Sequence, residues 1–188
     1  MHTRLDNRLT RSMTDGSMSK TDSKALETAF KLMDKGRWAD AIAGLEVLQT
    51  SANPETSDQA WNFLAHAYAA TGRDAESESM IRRSIERRGT TNEGLGDQLA
   101  GLAVVVRRQG RLEEAEQLHV QALDLLRDRD PEMTVFVLRN LAYLYWSAGQ
   151  QDRAREIYDR MPEYDSGIFE LEVRSVMKPF EEPALPEA

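Results

Sequence analysis

The side chains that most often carry out catalysis are sparse in this sequence and do not cluster. It has no cysteine, which excludes disulfides, thiolate nucleophiles and thiolate zinc sites. Its histidines, His2, His66 and His119, lie far apart. His119 falls on the packed face of a predicted helix, and we expect it to fill packed space. No serine stands in a nucleophile elbow or beside a base. Gly94-Leu95-Gly96 follows no predicted strand and precedes no lysine, so it is unlike a phosphate-binding loop. The sequence predicts no catalytic residue, no metal site and no cofactor, and we expect the protein not to be an enzyme.

Charge and hydropathy narrow the range of partners. The 188 residues carry 32 acidic and 24 basic side chains, which gives a net charge of −8. Such a protein gains little from contact with a phosphate backbone, which argues against nucleic-acid binding. No apolar run approaches the ~18 residues that a membrane span requires, and residues 1–20 lack the apolar core of a secretory signal. We expect a cytoplasmic protein that binds another protein, with no nucleic acid and no membrane span.

Four glycines mark a recurring unit that would position the remaining side chains. They are Gly36, Gly72, Gly110 and Gly149, each between two apolar helical stretches and roughly 36 to 39 residues from the next. Self-similarity at this period is typical of stacked helical hairpins. A glycine after the first helix of a hairpin can adopt the left-handed conformation that turns the chain. The pattern predicts an all-α, right-handed α-solenoid of about four hairpins plus a C-terminal capping helix.

The hairpins divide the chain into three parts. Residues 1–21 are polar and aperiodic, and we expect them to form a disordered lead. The array follows over residues 22–162, with hairpins at about 22–52, 53–89, 95–129 and 130–162. Asn53-Pro54 and Asp130-Pro131 supply a cap and a proline where two hairpins begin. The glycines within residues 89–96 indicate a flexible connection before a helix at about 97–109.

The third part, residues 163–188, differs from the repeats because it is acidic and contains prolines. An array of hairpins leaves its last apolar face uncovered, so we expect 167–178 to form a capping helix. The alternation of Phe169, Leu171 and Val173 leaves a strand as the alternative. The final residues are expected to be an extended or disordered tail. An apolar strip runs through this part and consists of Ile168, Phe169, Val173, Met177 and Phe180.

With the repeat established, the residues resemble those of tetratricopeptide repeats (TPRs). That family places a bulky residue, leucine, a small residue, tyrosine and glycine at set offsets, which here are filled by Trp61, Leu64, Ala65, Tyr68 and Gly72. The fourth hairpin repeats the pattern at Leu138, Leu141, Ala142, Tyr145, Gly149 and Ala154. The stretch 110–123 is similar to the longer repeats of kinesin light chains and their bacterial relatives. The resemblance covers about residues 24–162.

Membership of that family would imply a concave groove lined by the first helix of each hairpin. Carried over by offset, this face includes Phe63 and Ala100. Its candidate ligand-binding residues are Asn62, His66, Val104, Arg107, Arg108, Arg139, Asn140, Tyr143 and Trp146. Members that clamp the tails of chaperones use a lysine–asparagine pair in their first repeat, where this chain has Leu26 and Phe30. The pattern therefore argues against binding of chaperone tails.

Three kinds of side chain give this groove its expected chemistry. Arg107, Arg108 and Arg139 bring guanidinium forks that bind carboxylates. The amides of the two asparagines can hold the backbone of an extended peptide, and Tyr143 with Trp146, one turn further on, offers an aromatic anchor. A structural interpretation stays open, since arginines that end a helix also interact favourably with its dipole.

These expectations lead to one principal hypothesis and two alternatives. The principal hypothesis is a non-catalytic adaptor or scaffold that binds an extended or helical segment of a partner protein in the groove, with an acidic segment favoured. The first alternative is a structural subunit of a multiprotein complex or homo-oligomer, held by its edges and by the apolar strip of the tail. The second is an intramolecular switch in which the acidic tail occupies the arginine-bearing groove.

Overall fold

The computed structural model describes residues 18–89 and 94–159, and this part of the chain forms eight helices and no strand. The helices pair into four successive hairpins, as the glycine spacing predicts. Their bounds are α1 Lys20–Asp34, α2 Trp38–Leu48, α3 Pro54–Ala70, α4 Asp74–Arg88, α5 Leu95–Arg108, α6 Leu112–Leu126, α7 Pro131–Ser147 and α8 Gln151–Asp159. None of these helices is both long and apolar enough to cross a bilayer.

Each hairpin turns at one of the four repeated glycines. The φ angles of these glycines lie between 70° and 81°, a conformation that costs energy for residues with a Cβ. At the first turn, the Gly36 N–H donates to Met33 O at 2.9 Å and the Arg37 N–H donates to Leu32 O at 2.8 Å. These two bonds satisfy the last carbonyls of α1 and direct the chain into α2. The turn chemistry predicted from the glycines is confirmed.

The cap-and-proline pairs start α3 and α7. The Asn53 side chain accepts a hydrogen bond from the Thr56 N–H at 3.0 Å, and the Asp130 side chain accepts one from the Met133 N–H at 3.1 Å. Each cap satisfies one of the backbone donors that a helix start leaves unpaired. Pro54 and Pro131 follow directly, at a position where the missing N–H costs nothing.

The helices stack so that each packs against the next, and α1 also contacts α3 while α5 contacts α7. Buried alanines such as Ala65, Ala103 and Ala115 line the close approaches between helices. The buried side chains form two clusters, one within α1 to α4 and the other within α5 to α8. Ile81 on α4 packs against both. The expected all-α stacked array is confirmed.

Two expected boundaries are wrong. The predicted disordered lead extends too far, because Ser19 accepts a hydrogen bond from the Asp22 N–H at 3.0 Å and caps α1, which begins at Lys20. Met18 also packs against the first cluster. The predicted connection over 89–96 is too long, because α5 begins at Leu95 and buries Gly96. A Cβ at Gly96 would lie 2.7 Å from Leu126 Cγ, so this glycine reflects close packing rather than flexibility.

The sequence predictions for residues 1–17 and 160–188 fall outside the described residues, and two of them concern the C-terminal part. One is the capping helix over 167–178. The other is the apolar strip formed by Ile168, Phe169, Val173, Met177 and Phe180. Both stay predictions.

Candidate functional site

Among the first helices of the hairpins, α1 contacts α3 and α5 contacts α7, and Arg108 of α5 reaches Ala69 O of α3. We call the side of the array formed by α1, α3, α5 and α7 the first-helix face. Two side-chain contacts tie its members together. The rings of Phe30 on α1 and Phe63 on α3 lie 6.0 Å apart, and Arg107 on α5 lies over Tyr143 on α7. The candidate site predicted from the sequence belongs to this face.

Arg107 and Tyr143 form its best-defined contact. The guanidinium carbon of Arg107 lies 4.5 Å from the centre of the Tyr143 ring, within range of a cation–π interaction. Both side chains are half-buried, and the Nε atom of Arg107 is enclosed without a hydrogen-bond partner in the described residues. The stacked guanidinium is therefore fixed in orientation while one of its donors stays unused.

His119 lies on α6, the second helix of the third hairpin. It is fully buried, and neither ring nitrogen has a hydrogen-bond partner among the described residues. Burial lowers the pKa of His119 to about 4, and the positive charge of Arg107 contributes to the same shift. The imidazole is consequently neutral near pH 7 and does not add to the charge of the face. The expectation that His119 fills packed space is confirmed.

Arg108 has an internal partner. Its guanidinium pairs with the Asp74 carboxylate at the start of α4 and donates to Ala69 O at 3.2 Å. These contacts attach the end of α5 to the turn between α3 and α4. They give Arg108 a structural role in addition to the ligand contact predicted for it.

The two asparagines also have internal partners. Asn62 Oδ1 accepts from Ser84 Oγ at 3.4 Å, and the same hydroxyl accepts from Gln98 Nε2 at 2.6 Å. Asn140 Nδ2 donates to Phe136 O of its own helix at 2.8 Å. The remaining donor and acceptor groups of each amide are the ones available to a peptide backbone.

The other candidate residues divide by exposure. His66, Arg139 and Trp146 are exposed, the last at 39%, while Val104 is half-buried. Nothing lies within 4 Å of the place where a side chain on Gly101 would begin, so the middle of α5 leaves open space on this face. These residues, together with Arg107 and Tyr143, form the accessible part of the site, which lies on α3, α5 and α7.

Two residues assigned to the face by offset do not reach solvent. Phe63 is 2% exposed and Ala100 is 0% exposed. Phe63 instead packs against Phe30 in the core of the first two hairpins. Placing them in the groove was wrong, because one helical turn carries both groove and core positions and the family offset does not separate them.

The sequence did not predict an ionic network that is centred on Glu78 of α4. Glu78 accepts from Arg82, Gln109 and Arg111, each at 2.8 Å, and Arg82 also reaches Glu114 at 2.6 Å. Burial opposes the charge of Glu78, but the three donors outweigh it and hold the pKa of this carboxyl below its usual value. Only the spacing of Glu78 and Arg82 in one helix was visible as a signal in the sequence.

A second missed cluster surrounds Trp61. The guanidinium carbons of Arg87 and Arg83 lie 3.8 and 4.8 Å from the centre of its ring, and Arg87 also donates to Asp58 at 3.0 Å.

Within the described ranges, no group of three His, Asp or Glu side chains is placed to hold a metal ion. The described part of the first-helix face offers guanidinium, amide and aromatic groups.

The profile of the tetratricopeptide repeat family matches residues 56–128 and again residues 98–160, which together exceed half of the chain. The chain belongs to the tetratricopeptide repeat family. The resemblance recognised in the sequence is thereby confirmed, and it extends to solved structures of TPR proteins. No curated protein matches the sequence.

Three solved structures show the likeness. MamA is 17% identical, with 92% of this chain and 88% of that chain covered and a TM-score of 0.61. A Podosopora anserina putative kinesin light chain with nearly identical TPR-like repeats is 19% identical, covers 90% and 81%, and also scores 0.61. BtubC (BKLC) from P. vanneervenii is 19% identical, covers 81% and 72%, and scores 0.59. At these identities the likeness establishes the TPR fold, and this fold with the family supports a general role as a scaffold for protein–protein interaction.

Proposed function

We propose that this TPR protein is a non-catalytic adaptor that holds an acidic segment of a partner protein on the first-helix face, chiefly on α5 and α7. The stacked contact between Arg107 and Tyr143 carries this proposal. A guanidinium already fixed over a ring loses little conformational freedom when it binds a carboxylate. It therefore provides a ready recognition point on a protein whose net charge is −8.

The surroundings of this contact fit a peptide segment. Trp146 is exposed and lies one turn beyond Tyr143 on α7, where it can anchor an apolar side chain of the partner. Gly101 leaves space in the middle of α5 for the backbone of the segment to approach. Asn140 keeps one amide oxygen for a backbone N–H, since its nitrogen donates to Phe136 O.

The proposal is tested by affinity capture from the native source with matched arginine variants. Arg107→Met keeps most of the side-chain length but removes the charge, whereas Arg129→Met removes an exposed charge from the loop after α6. Hydrogen bonds to charged groups contribute about 1.5–3 kcal/mol. We therefore expect R107M to bind the dominant partner about 10- to 100-fold more weakly and R129M to bind it normally.

The captured partner then defines the ligand. Overlapping peptides from its sequence should include an acidic segment that binds the wild-type chain and loses affinity when its carboxylates are converted to amides. Equal capture by wild type and R107M, or binding unaffected by amidation, would contradict the proposed site.

A further inference from the structure

A cleft separate from the first-helix face lies between α6 and α8. Apolar side chains line most of it: Val120 and Leu123 come from α6, Leu141 and Tyr145 from α7, and Ile157 from α8. The side chains from α7 are almost fully buried and form its floor, whereas Val120 is 44% exposed. We call this cleft the α6–α8 groove. Its walls come from the second helices α6 and α8, its floor comes from α7, and it shares no residue with the proposed peptide site.

The groove is large enough for side chains of another segment. Its volume is about 280 Å³, while a protein cavity of about 150 Å³ holds a benzene molecule. It therefore has room for about two aromatic or branched side chains. In the described residues only four large apolar side chains are exposed, and Val120 is one of them. The outer side of α6 thus presents apolar surface beside a cleft of matching character.

Charges around the groove do not select for an acidic ligand. Asp124, Arg127, Arg153 and Glu156 also line it, so two positive and two negative groups balance. Arg127 pairs with Asp124 at 3.3 Å, and Arg153 pairs with Glu116 at 2.9 Å. Apolar contact is consequently the main source of affinity here, in contrast to the Arg107 site.

The chain itself continues from this point. Helix α8 ends at Asp159, two residues after Ile157, so the chain leaves the array beside the groove and continues to Ala188. The apolar strip begins at Ile168, about nine residues further, which an extended chain spans with up to about 30 Å of reach. A tethered segment this close has an effective concentration in the millimolar range. Proximity and apolar character therefore both favour the chain's own C-terminal part as the occupant.

We infer that the C-terminal segment 163–188 folds back and inserts apolar side chains of its strip, with Val173 and Met177 at the centre, into the α6–α8 groove. This placement leaves the first-helix face open to a partner. It differs from the switch hypothesis, in which the same segment occupies the arginine-bearing site, and from assembly, in which a second copy supplies it.

The absence of cysteine makes disulfide trapping a direct test. Three double variants of the full chain carry Val173→Cys in the tail. The partner cysteine is Val120→Cys for the groove, Val104→Cys for the first-helix face, or Val47→Cys as a control at the most exposed apolar side chain of α2. We expect the Val120 pair to form an intramolecular disulfide at least tenfold faster than the other two pairs at micromolar protein.

Each other outcome overturns the inference in an identifiable way. Fastest trapping of the Val104 pair would place the tail on the first-helix face. Disulfide-linked dimers whose yield rises with protein concentration would assign the groove to a second copy. Equal rates for the Val120 and Val47 pairs would mean that the tail has no preferred site.

A second measurement does not depend on introduced cysteines. Trypsin cleavage after Arg174 reports the exposure of the strip. Val120→Asp should accelerate this cleavage at least tenfold, while Val47→Asp should leave it unchanged. Circular dichroism serves as the check that both variants keep the helical array. Unchanged cleavage in V120D would also overturn the inference.

Discussion

At the scale of single residues, the partners of each side chain decide which role it can have: Arg107 stacks on Tyr143, Arg108 pairs with Asp74, and His119 is buried. The offsets placed Arg107 and Tyr143 on the same face, but not in contact, because the contact depends on how α5 and α7 stack. The pairing of Arg108 with Asp74 joins residues 34 positions apart, and no local pattern indicates it. Burial of His119 was predictable, since the repeat offset puts it in the packed face.

The buried His119 makes a prediction about pH. Its folded-state pKa of about 4 lies below the ordinary value of 6.5, so the unfolded state binds more protons between these values. Stability therefore falls as pH decreases from 6.5 towards 4. At pH 5 this group alone should cost about 2 kcal/mol of unfolding free energy relative to pH 7.5.

Urea denaturation of His119→Leu at pH 7.5 and pH 5.0 checks this. We expect the unfolding free energy of H119L, relative to that of the wild type, to rise by about 2 kcal/mol when the pH is lowered from 7.5 to 5.0. The reason is that leucine has no proton to bind. Parallel pH dependence of wild type and H119L would contradict the assignment of a neutral buried imidazole.

At the scale of the helices, the caps, prolines and glycine turns could be predicted from the sequence because they act within a few residues. Helix α5 was placed less well, since its start depends on contact with α6 rather than on local signals. Gly96 allows this contact: a Cβ there would lie 2.7 Å from Leu126 Cγ. Glycines usually indicate loops in a sequence, and here one indicates tight helix packing.

The two glycines of α5 provide a matched pair of variants. Gly96→Ala should lower the unfolding free energy by about 1–3 kcal/mol, because the buried Leu126 must move. Gly101→Ala meets nothing within 4 Å and should be neutral or stabilising by up to about 1 kcal/mol, since alanine favours the helix. Chemical denaturation of both variants measures the difference. Equal effects would show that the helices are not packed as described.

At the scale of the whole molecule, the junctions between hairpins are of two kinds. Tyr68 donates to Glu46 at 2.8 Å, and Tyr145 donates to Glu116 at 2.7 Å, so an aromatic side chain closes the first and last junctions. Val106 occupies the matching offset before Gly110 in the third hairpin. The central junction uses the ionic network around Glu78 instead, and the two core clusters meet there.

This difference predicts that coupling between the two halves of the array depends on the network around Glu78. Stability in a repeat protein is approximately a sum of repeat and junction contributions. Glu78→Gln should therefore lower the unfolding free energy by about 1–2 kcal/mol. It should also make the two halves unfold at different urea concentrations. The fluorescence of Trp61 reports one half and that of Trp146 the other, each measured in a variant that keeps it as the sole tryptophan. Glu27→Gln removes an exposed pair within α1 and should change stability by less than about 0.5 kcal/mol. Coincident midpoints in E78Q would contradict a central junction that depends on Glu78.

The family, the number of hairpins and the capped or glycine-marked helix ends could thus be predicted from the sequence, because a period and local caps encode them, whereas the starts of α1 and α5 could not. Which arginines have a structural role and which have a binding role could not be predicted, because the carboxylates that pair with them lie on helices distant in the sequence. The α6–α8 groove likewise arises from three helices and has no local sequence pattern.

Hydrogen exchange of the chain, alone and bound to its captured partner, tests the central claim most directly. The account predicts slower exchange in α5 and α7, with the largest change around Val104, Arg107 and Tyr143, and little change in α2 and α4. Protection confined to α2, α4, α6 or α8, with α5 and α7 unchanged, would contradict recognition on the first-helix face.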